Sequence, residues 1–142
     1  MTAEQIFELI SKHPAFYMAT IEGNEPRVRG MLLYKADQEG IVFHTGTMKE
    51  VYRQVLENPH TELCFHTGAM QIRIRGDLQV VEDESVKDEI SKHPSRKFLT
   101  AWRESGPLQN FYDTFVVLKL QKGLATTWTI ETNFEPKAFI QL

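Results

Sequence analysis

The segment MQIRIRGDLQVVED, Met70 to Asp83, alternates apolar and charged side chains: Ile72, Ile74 and Leu78 against Arg73, Arg75 and Asp77. A period of two belongs to a half-buried strand, with one face on a core and the other in water, and that is the habit of antiparallel sheets. The remaining chain must therefore supply partner strands. AFYMATI is rich in aromatic and branched residues and closes at EGNEP, which predicts a hairpin with RVRGMLLYKA. DQEG then turns the chain into IVFHTG, TELCFH forms another strand, and TFVVLKLQKGLATTWTI predicts at least one long strand.

Helical spacing is confined to short stretches. Thr2 and Gln5 form a capping-box pattern ahead of Ile6, Leu9 and Ile10, and Pro14 ends the run. Met48 to Asn58 places Val51, Val55 and Leu56 on one helical face and stops at Asn58-Pro59. ESVKDEISKHPSRKFLTAWRESGP reads as two helical pieces broken at Pro94, and the tail NFEPKAFIQL favours no element. SKHP occurs at Ser11 and again at Ser91, each time as a local stop signal before proline. Five to seven strands joined by short turns predict an antiparallel α+β domain, a small barrel, because the spacing is too tight for repeated βαβ units. The 142 residues fit one domain over 1–142.

A net charge of −3 supplies no positive field for nucleic acid or an anionic membrane. The opening MTAEQIFELISKHP carries acidic residues early and no long apolar run, unlike a signal peptide or a membrane span. The single cysteine, Cys64, lies in an apolar run as a small hydrophobe, and its lack of an internal partner fits a reducing cytoplasm.

Phe-His-Thr-Gly is written twice, at Phe43–Gly46 and at Phe65–Gly68. After the first copy come Thr47 and Lys49, at the start of a helix whose free amides and dipole attract an anion. Thr45 and Thr47 add hydroxyls, Gly46 admits close approach of the backbone, and Lys49 adds a full charge. This stretch reads either as a phosphate cradle or as a helix cap followed by a solvated lysine. It lacks the spacing of a Walker loop. The second copy has Ala69 and Gln71 at the matching positions and runs into a strand, so the two copies are not equivalent. No set of Asp, Glu, His or Cys joins His44 and His66 at metal-ligand spacing, and no hydrolytic constellation stands out.

The ordered segments PRVRGMLLY, GIVFHTGTMKEVYRQVLENPHTELCF and MQIRIRGDLQVVED resemble the flavin-binding split barrels related to pyridoxamine phosphate oxidase, especially the short general-stress-type members. The resemblance spans roughly residues 5 to 120. It implies an α+β fold built on an antiparallel split β-barrel of six to seven strands with flanking helices. It also implies a homodimer with FMN in a cleft between subunits. Carried onto this chain, it implies phosphate contacts from Thr45, Thr47 and Lys49, with charge from Arg27 or Arg29. The strand carrying Arg27, Val28, Arg29, Gly30 and Met31 would run along the flavin, His44 would lie beside it, and Gln71 would contact the ring or the ribityl chain. Arg27 and Arg29 also read as the wet face of a half-buried strand, and Trp102 and Trp128 as core or dimer packing. TIETNFEPKAFIQL does not resemble the longer C-terminal part of the named oxidases, and the phosphate loop is shorter than theirs.

The function this implies is two-electron transfer on a small substrate, with no nucleic acid and no membrane as partner. Alternatives are a flavin-storing stress protein without turnover, a split-barrel interaction protein without cofactor, and a haem-binding barrel using His44 or His66. No side chain is marked by the sequence as the general acid or base.

Overall fold

In the computed structural model, which describes residues 1–142, the alternating segment becomes β6 (Met70–Val81), and the sheet is organised around it. Ile72, Ile74 and Leu78 point into the core as their spacing requires. One edge of β6 pairs antiparallel with β5 (His60–Thr67), through a turn at Gly68 in the left-handed region, φ 77°. β5 pairs with β1 (Ala15–Glu22), and β1 forms the expected hairpin with β2 (Glu25–Leu32). On the other side β7 (Phe115–Leu120) pairs with β4 (Gly40–Gly46), which pairs with the short β3 (Lys35–Asp37). The strand order β2-β1-β5-β6-β7-β4-β3 curls into an antiparallel barrel, with β2 and β4 packed side by side but joined by no ladder. This is the split barrel.

The long C-terminal strand is bulged. β7 and β8 (Leu124–Trp128) lie end to end along the same edge of β6: Leu78 faces Leu120 and Arg75 faces Leu124. Three steps on β6 thus oppose four on its partner, and the extra residue is absorbed where Lys122 takes a φ of 54°. Gly123 is buried there, and a β-carbon on it would approach Leu120 Cδ2 to 2.6 Å and Ile74 Cγ2 to 2.8 Å. Gly123→Ala is therefore expected to cost about 1–3 kcal/mol by overpacking. Urea denaturation would measure it, and an unchanged midpoint would contradict this reading of the bulge. The tail resolves into β9 (Ile140–Gln141), paired with β8.

Two apolar layers share β7. Val116, Leu118 and Leu120 face the barrel interior with Phe16, Phe43 and Phe65, while Phe115 and Val117 face outward. The outward pair is covered by α3 (Glu84–Lys92), a 3-10 turn (Pro94–Arg96), α4 (Leu99–Ser105) and α5 (Phe111–Thr114), through Ile90, Leu99, Leu108 and Phe111. The pieces broken at Pro94 thus form the lid over the outer face of β4 and β7. α1 (Ala3–Lys12) has the predicted capping box and buries Ile6, Phe7 and Ile10.

α2 (Glu50–Glu57) departs from expectation on its inner face. It buries Val51, Gln54 and Val55, whereas Leu56 is 59% exposed. Gln54 faces inward because both its amide oxygen and its amide nitrogen find partners. It accepts from Thr20 Oγ1 at 2.6 Å and from Arg29 Nη2 at 2.5 Å, and it donates to Glu22 Oε2 at 2.9 Å. A buried amide with its partners in place costs little, and this one anchors α2 to the β1–β2 hairpin. No helix is long and apolar enough to cross a membrane.

Candidate functional site

The seam where β2 and β4 pack without pairing, roofed by α4, holds a cavity of about 390 Å³. β2 contributes Gly30, Met31 and Leu32, and β4 contributes His44, Thr45 and Gly46. Met48 and Lys49 follow from the loop into α2, and Leu99, Trp102, Leu108 and Phe115 form an apolar wall. A β-carbon built on Gly30 would meet nothing within 4 Å, so packing within the chain does not explain the glycine, and the space above it belongs to the cavity.

The polar end lies at the start of α2. The side chains of Thr45 and Lys49 have no hydrogen-bonded or ion-paired partner in the chain, so a hydroxyl and an ammonium stand free beside the cavity. Lys49 is itself the N-cap residue and makes no side-chain cap, which leaves the helix start open. The Thr47 amide donates to the Thr114 carbonyl and the Lys49 amide to the Gly46 carbonyl, whereas those of Met48 and Val51 find no acceptor in the chain. The thioether of Met48 folds onto Gly46 where a β-carbon would lie, so this glycine makes room for Met48.

The residues singled out from the sequence divide here. Gly30, Met31, His44, Thr45 and Lys49 come together on the cavity. Arg29 lies next to it: its guanidinium donates to the Met18 carbonyl, to Thr20 and to Gln54, and the charge of Glu50 acts on it. Burial lowers the Arg29 pKa, with Glu50 opposing that shift, which puts the group near the first turn of α2. Arg27 pairs with Glu25 at 2.8 Å and Glu22 at 3.3 Å on the hairpin surface. Val28 is 69% exposed on the outer face of β2. Thr47 opens on a neighbouring cleft with Glu82, Glu84, Lys87 and Asp113. Gln71 lies on the outer face of β6, opposite His66 and Trp128.

The two FHTG copies share one task and differ in the rest. Phe43 and Phe65 both converge on Phe16, edge-on at 5.1 Å and stacked at 4.7 Å. His44 is largely buried, with its Nε2 accepting from Arg96 Nε at 2.8 Å, while His66 is exposed. Burial first, and the Arg96 charge second, lower the His44 pKa to about 4. Thr67 only closes its own turn by donating to the Met70 carbonyl.

Arg96 and the α4 wall carried no signal in the sequence. Arg96 lies 52 positions from His44, and an SRK triplet before a helix looks like solvated charge. Trp102 proves to be a cavity residue, 47% exposed and edge-on to Phe98, while Trp128 donates to Asn133 in the tail.

A family model described as pyridoxamine 5'-phosphate oxidase matches residues 2–125. Over 100 residues the chain is 31% identical to a pyridoxine/pyridoxamine 5'-phosphate oxidase of Agrobacterium fabrum, covering 67% of this chain and 48% of that protein. The chain spans about half the length of the curated relatives it matches. A NimC/NimA family protein of Clostridium acetobutylicum superimposes with a TM-score of 0.71 at 22% identity, covering 99% of this chain and 93% of that one. A pyridoxamine 5'-phosphate oxidase-related, FMN-binding protein of Nostoc punctiforme gives 0.65 at 17% identity, over 96% and 86%. At such identities the likeness is one of fold.

Proposed function

The chain belongs to the pyridoxamine 5'-phosphate oxidase family, and from that premise we propose that it binds FMN at a homodimer interface and carries out two-electron transfer on a small molecule. The observation that carries this reading is the cavity itself, apolar along one wall and cationic at one end. Its volume lies in the range of about 300–1,000 Å³ usual for small-ligand sites. Met31, Leu99, Trp102, Leu108 and Phe115 would hold the flat ring, with the open space above Gly30 giving it room. The Lys49 ammonium, the Thr45 hydroxyl and the free amides of Met48 and Val51 would hold the phosphate at the α2 start, with Arg29 adding charge. Bound FMN would supply the hydride chemistry that side chains lack. The Nostoc punctiforme neighbour, described as FMN-binding, supports the same choice.

The outer face of the β1–β2 hairpin supports a second copy. Ala15, Tyr17, Ala19 and Ile21 on β1 lie beside Val28 and Leu32 on β2, with Tyr17 64% exposed. An uncovered apolar sheet face of this kind marks an association surface, and a twofold pair would cover it with itself. Because Leu32 and Gly30 belong both to this face and to the cavity, a second subunit would also supply the cavity's missing wall. Gln71 lies on the same outer side of the sheet, where it would reach the flavin only in the assembled dimer. The free Cys64 supports residence in a reducing cytoplasm. The reading covers flavin binding and electron exchange only, because the chain spans about half of the named oxidases.

Lys49→Ala is expected to weaken FMN binding by about 1.5–3 kcal/mol, the range for a hydrogen bond to a charged group. Quenching of flavin fluorescence on titration measures it, and equal affinity in the two proteins would remove Lys49 from the site. Steady-state reduction by a nicotinamide donor separates turnover from storage, because stored flavin would bind without cycling.

A further inference from the structure

Arg96 is 3% exposed, and no carboxylate lies within ion-pair distance of it. All three of its nitrogens donate to neutral groups. Nε goes to His44 Nε2 at 2.8 Å, Nη2 to the Leu33 carbonyl at 2.8 Å, and Nη1 to Ser95 Oγ at 3.1 Å. Its guanidinium carbon lies 5.4 Å from the centroid of Tyr34 and 5.8 Å from that of Phe98, and these ring faces offset part of the cost of burying an unpaired cation.

This arrangement dictates the state of His44. A guanidinium only donates, so Nε2 must present its lone pair, and a neutral imidazole then carries its proton on Nδ1. No group of the chain accepts from Nδ1, and the ring lines the cavity with Phe115 at 5.0 Å and Phe98 at 6.4 Å. A donor polarised from behind by a buried cation is stronger than a free imidazole N–H, and it needs no reorganisation when negative charge arrives.

We propose that Arg96 locks His44 as an Nδ1–H donor, and that this donor serves an electron-rich sp2 oxygen or ring nitrogen of a conjugated ligand in the cavity. The ligand half of this inference rests on the flavin reading, and the lock does not. Two sources offer that chemistry: the flavin's own polar edge, or a second conjugated molecule lying against it. Arg96 is thus a positioning residue that acts through His44. The charged and titratable groups around the ring are Arg96 and, behind it, Tyr34 with Glu89 and His93 against it, while Lys49 lines the same cavity.

The lock is tested on the wild-type protein by long-range ¹H–¹⁵N correlation of the imidazole nitrogens. The expected result is an Nδ1–H tautomer for His44 that does not titrate between about pH 5 and 8. An Nε2–H tautomer, or a protonated ring at neutral pH, would overturn it. In Arg96→Met the Nε2 lone pair loses its donor, so the fixed Nδ1–H signature should give way to a mixture with the Nε2–H tautomer, while burial still holds the ring below its ordinary pKa. An unchanged Nδ1–H tautomer would show that Arg96 does not set it. If that variant fails to fold, the wild-type spectrum still decides.

The ligand half is tested by titrating wild type and His44→Phe with FMN, and each FMN-loaded protein with 4-chlorophenolate. A loss of about tenfold in FMN affinity, worth one hydrogen bond, assigns the donor to the flavin. The same loss confined to the phenolate assigns it to a second molecule. Unchanged affinity for both would overturn the ligand half. Wild-type protein that ignores FMN would instead refute the function proposed above, leaving the tautomer measurement to judge the lock.

Discussion

Phe43→Ala is expected to lower folding stability by about 3–5 kcal/mol, the upper range for emptying a buried aromatic site. Phe43 is 0% exposed and meets the edge of Phe16, whose face stacks on Phe65. The three rings join β4, β1 and β5 across the barrel interior, so truncation opens a void that the ladders on both sides prevent from closing. Phe65→Ala should cost a similar amount, and because both variants act on Phe16 the double variant should depart from additivity. Urea denaturation of the two single variants and the double variant measures this. A loss below about 1 kcal/mol for Phe43→Ala would mean that the barrel interior does not depend on this contact. Phe43 also sits between Val42 and His44 on β4, so the loss should loosen the site that this strand presents.

The second large effect is acid destabilisation centred on His44. Its folded pKa is lowered to about 4 from the ordinary 6.5, so between those values the unfolded chain takes up a proton that the folded chain refuses. Stability therefore rises with pH across this window: the contribution is fully present above about 6.5 and is lost as pH falls toward 4. A gap of that size corresponds to about 3 kcal/mol from this one group. His44→Gln removes the titration, so the stability difference between pH 7.5 and pH 4.5 should be smaller in the variant by most of that amount. Identical pH dependence in the two proteins would show that His44 titrates normally in the fold. Carboxylates such as Glu22 and Asp83, whose pKa values are lowered by hydrogen bonds, lose their contributions at the acid end in both proteins and cancel in the comparison.

Much of the barrel was legible because its strands carry period-two patterns with marked turns. β6 announces both of its faces, and the hairpin of β1 and β2 follows from its turn residues. The β7–β8 bulge was not legible, since one extra residue opposite β6 leaves no mark beyond a Lys-Gly pair. Leu56 and Gln54 exchange their expected roles because hydrogen bonds from Thr20 and Arg29, distant in sequence, make a glutamine the better inward residue.

At the site, the stretch from His44 to Lys49 was legible as a strand end running into a helix start. The side to which each residue turns was not. Thr47 is drawn away because its amide bonds to Thr114, and Arg27 is taken up by two glutamates of its own hairpin. The wall from Leu99 to Phe115 and the Arg96 lock depend on how the helical layer folds back over β4, a tertiary contact that no local period encodes.

The most direct test of the whole account is a crystal structure of the protein grown with FMN. The account predicts the ring against Met31, Leu108 and Phe115, with the phosphate within hydrogen-bonding distance of Lys49 Nζ and the Met48 and Val51 amides. It also predicts a twofold partner on the face carrying Tyr17 and Val28. Flavin bound elsewhere on the chain, or a phosphate turned away from the start of α2, would contradict it.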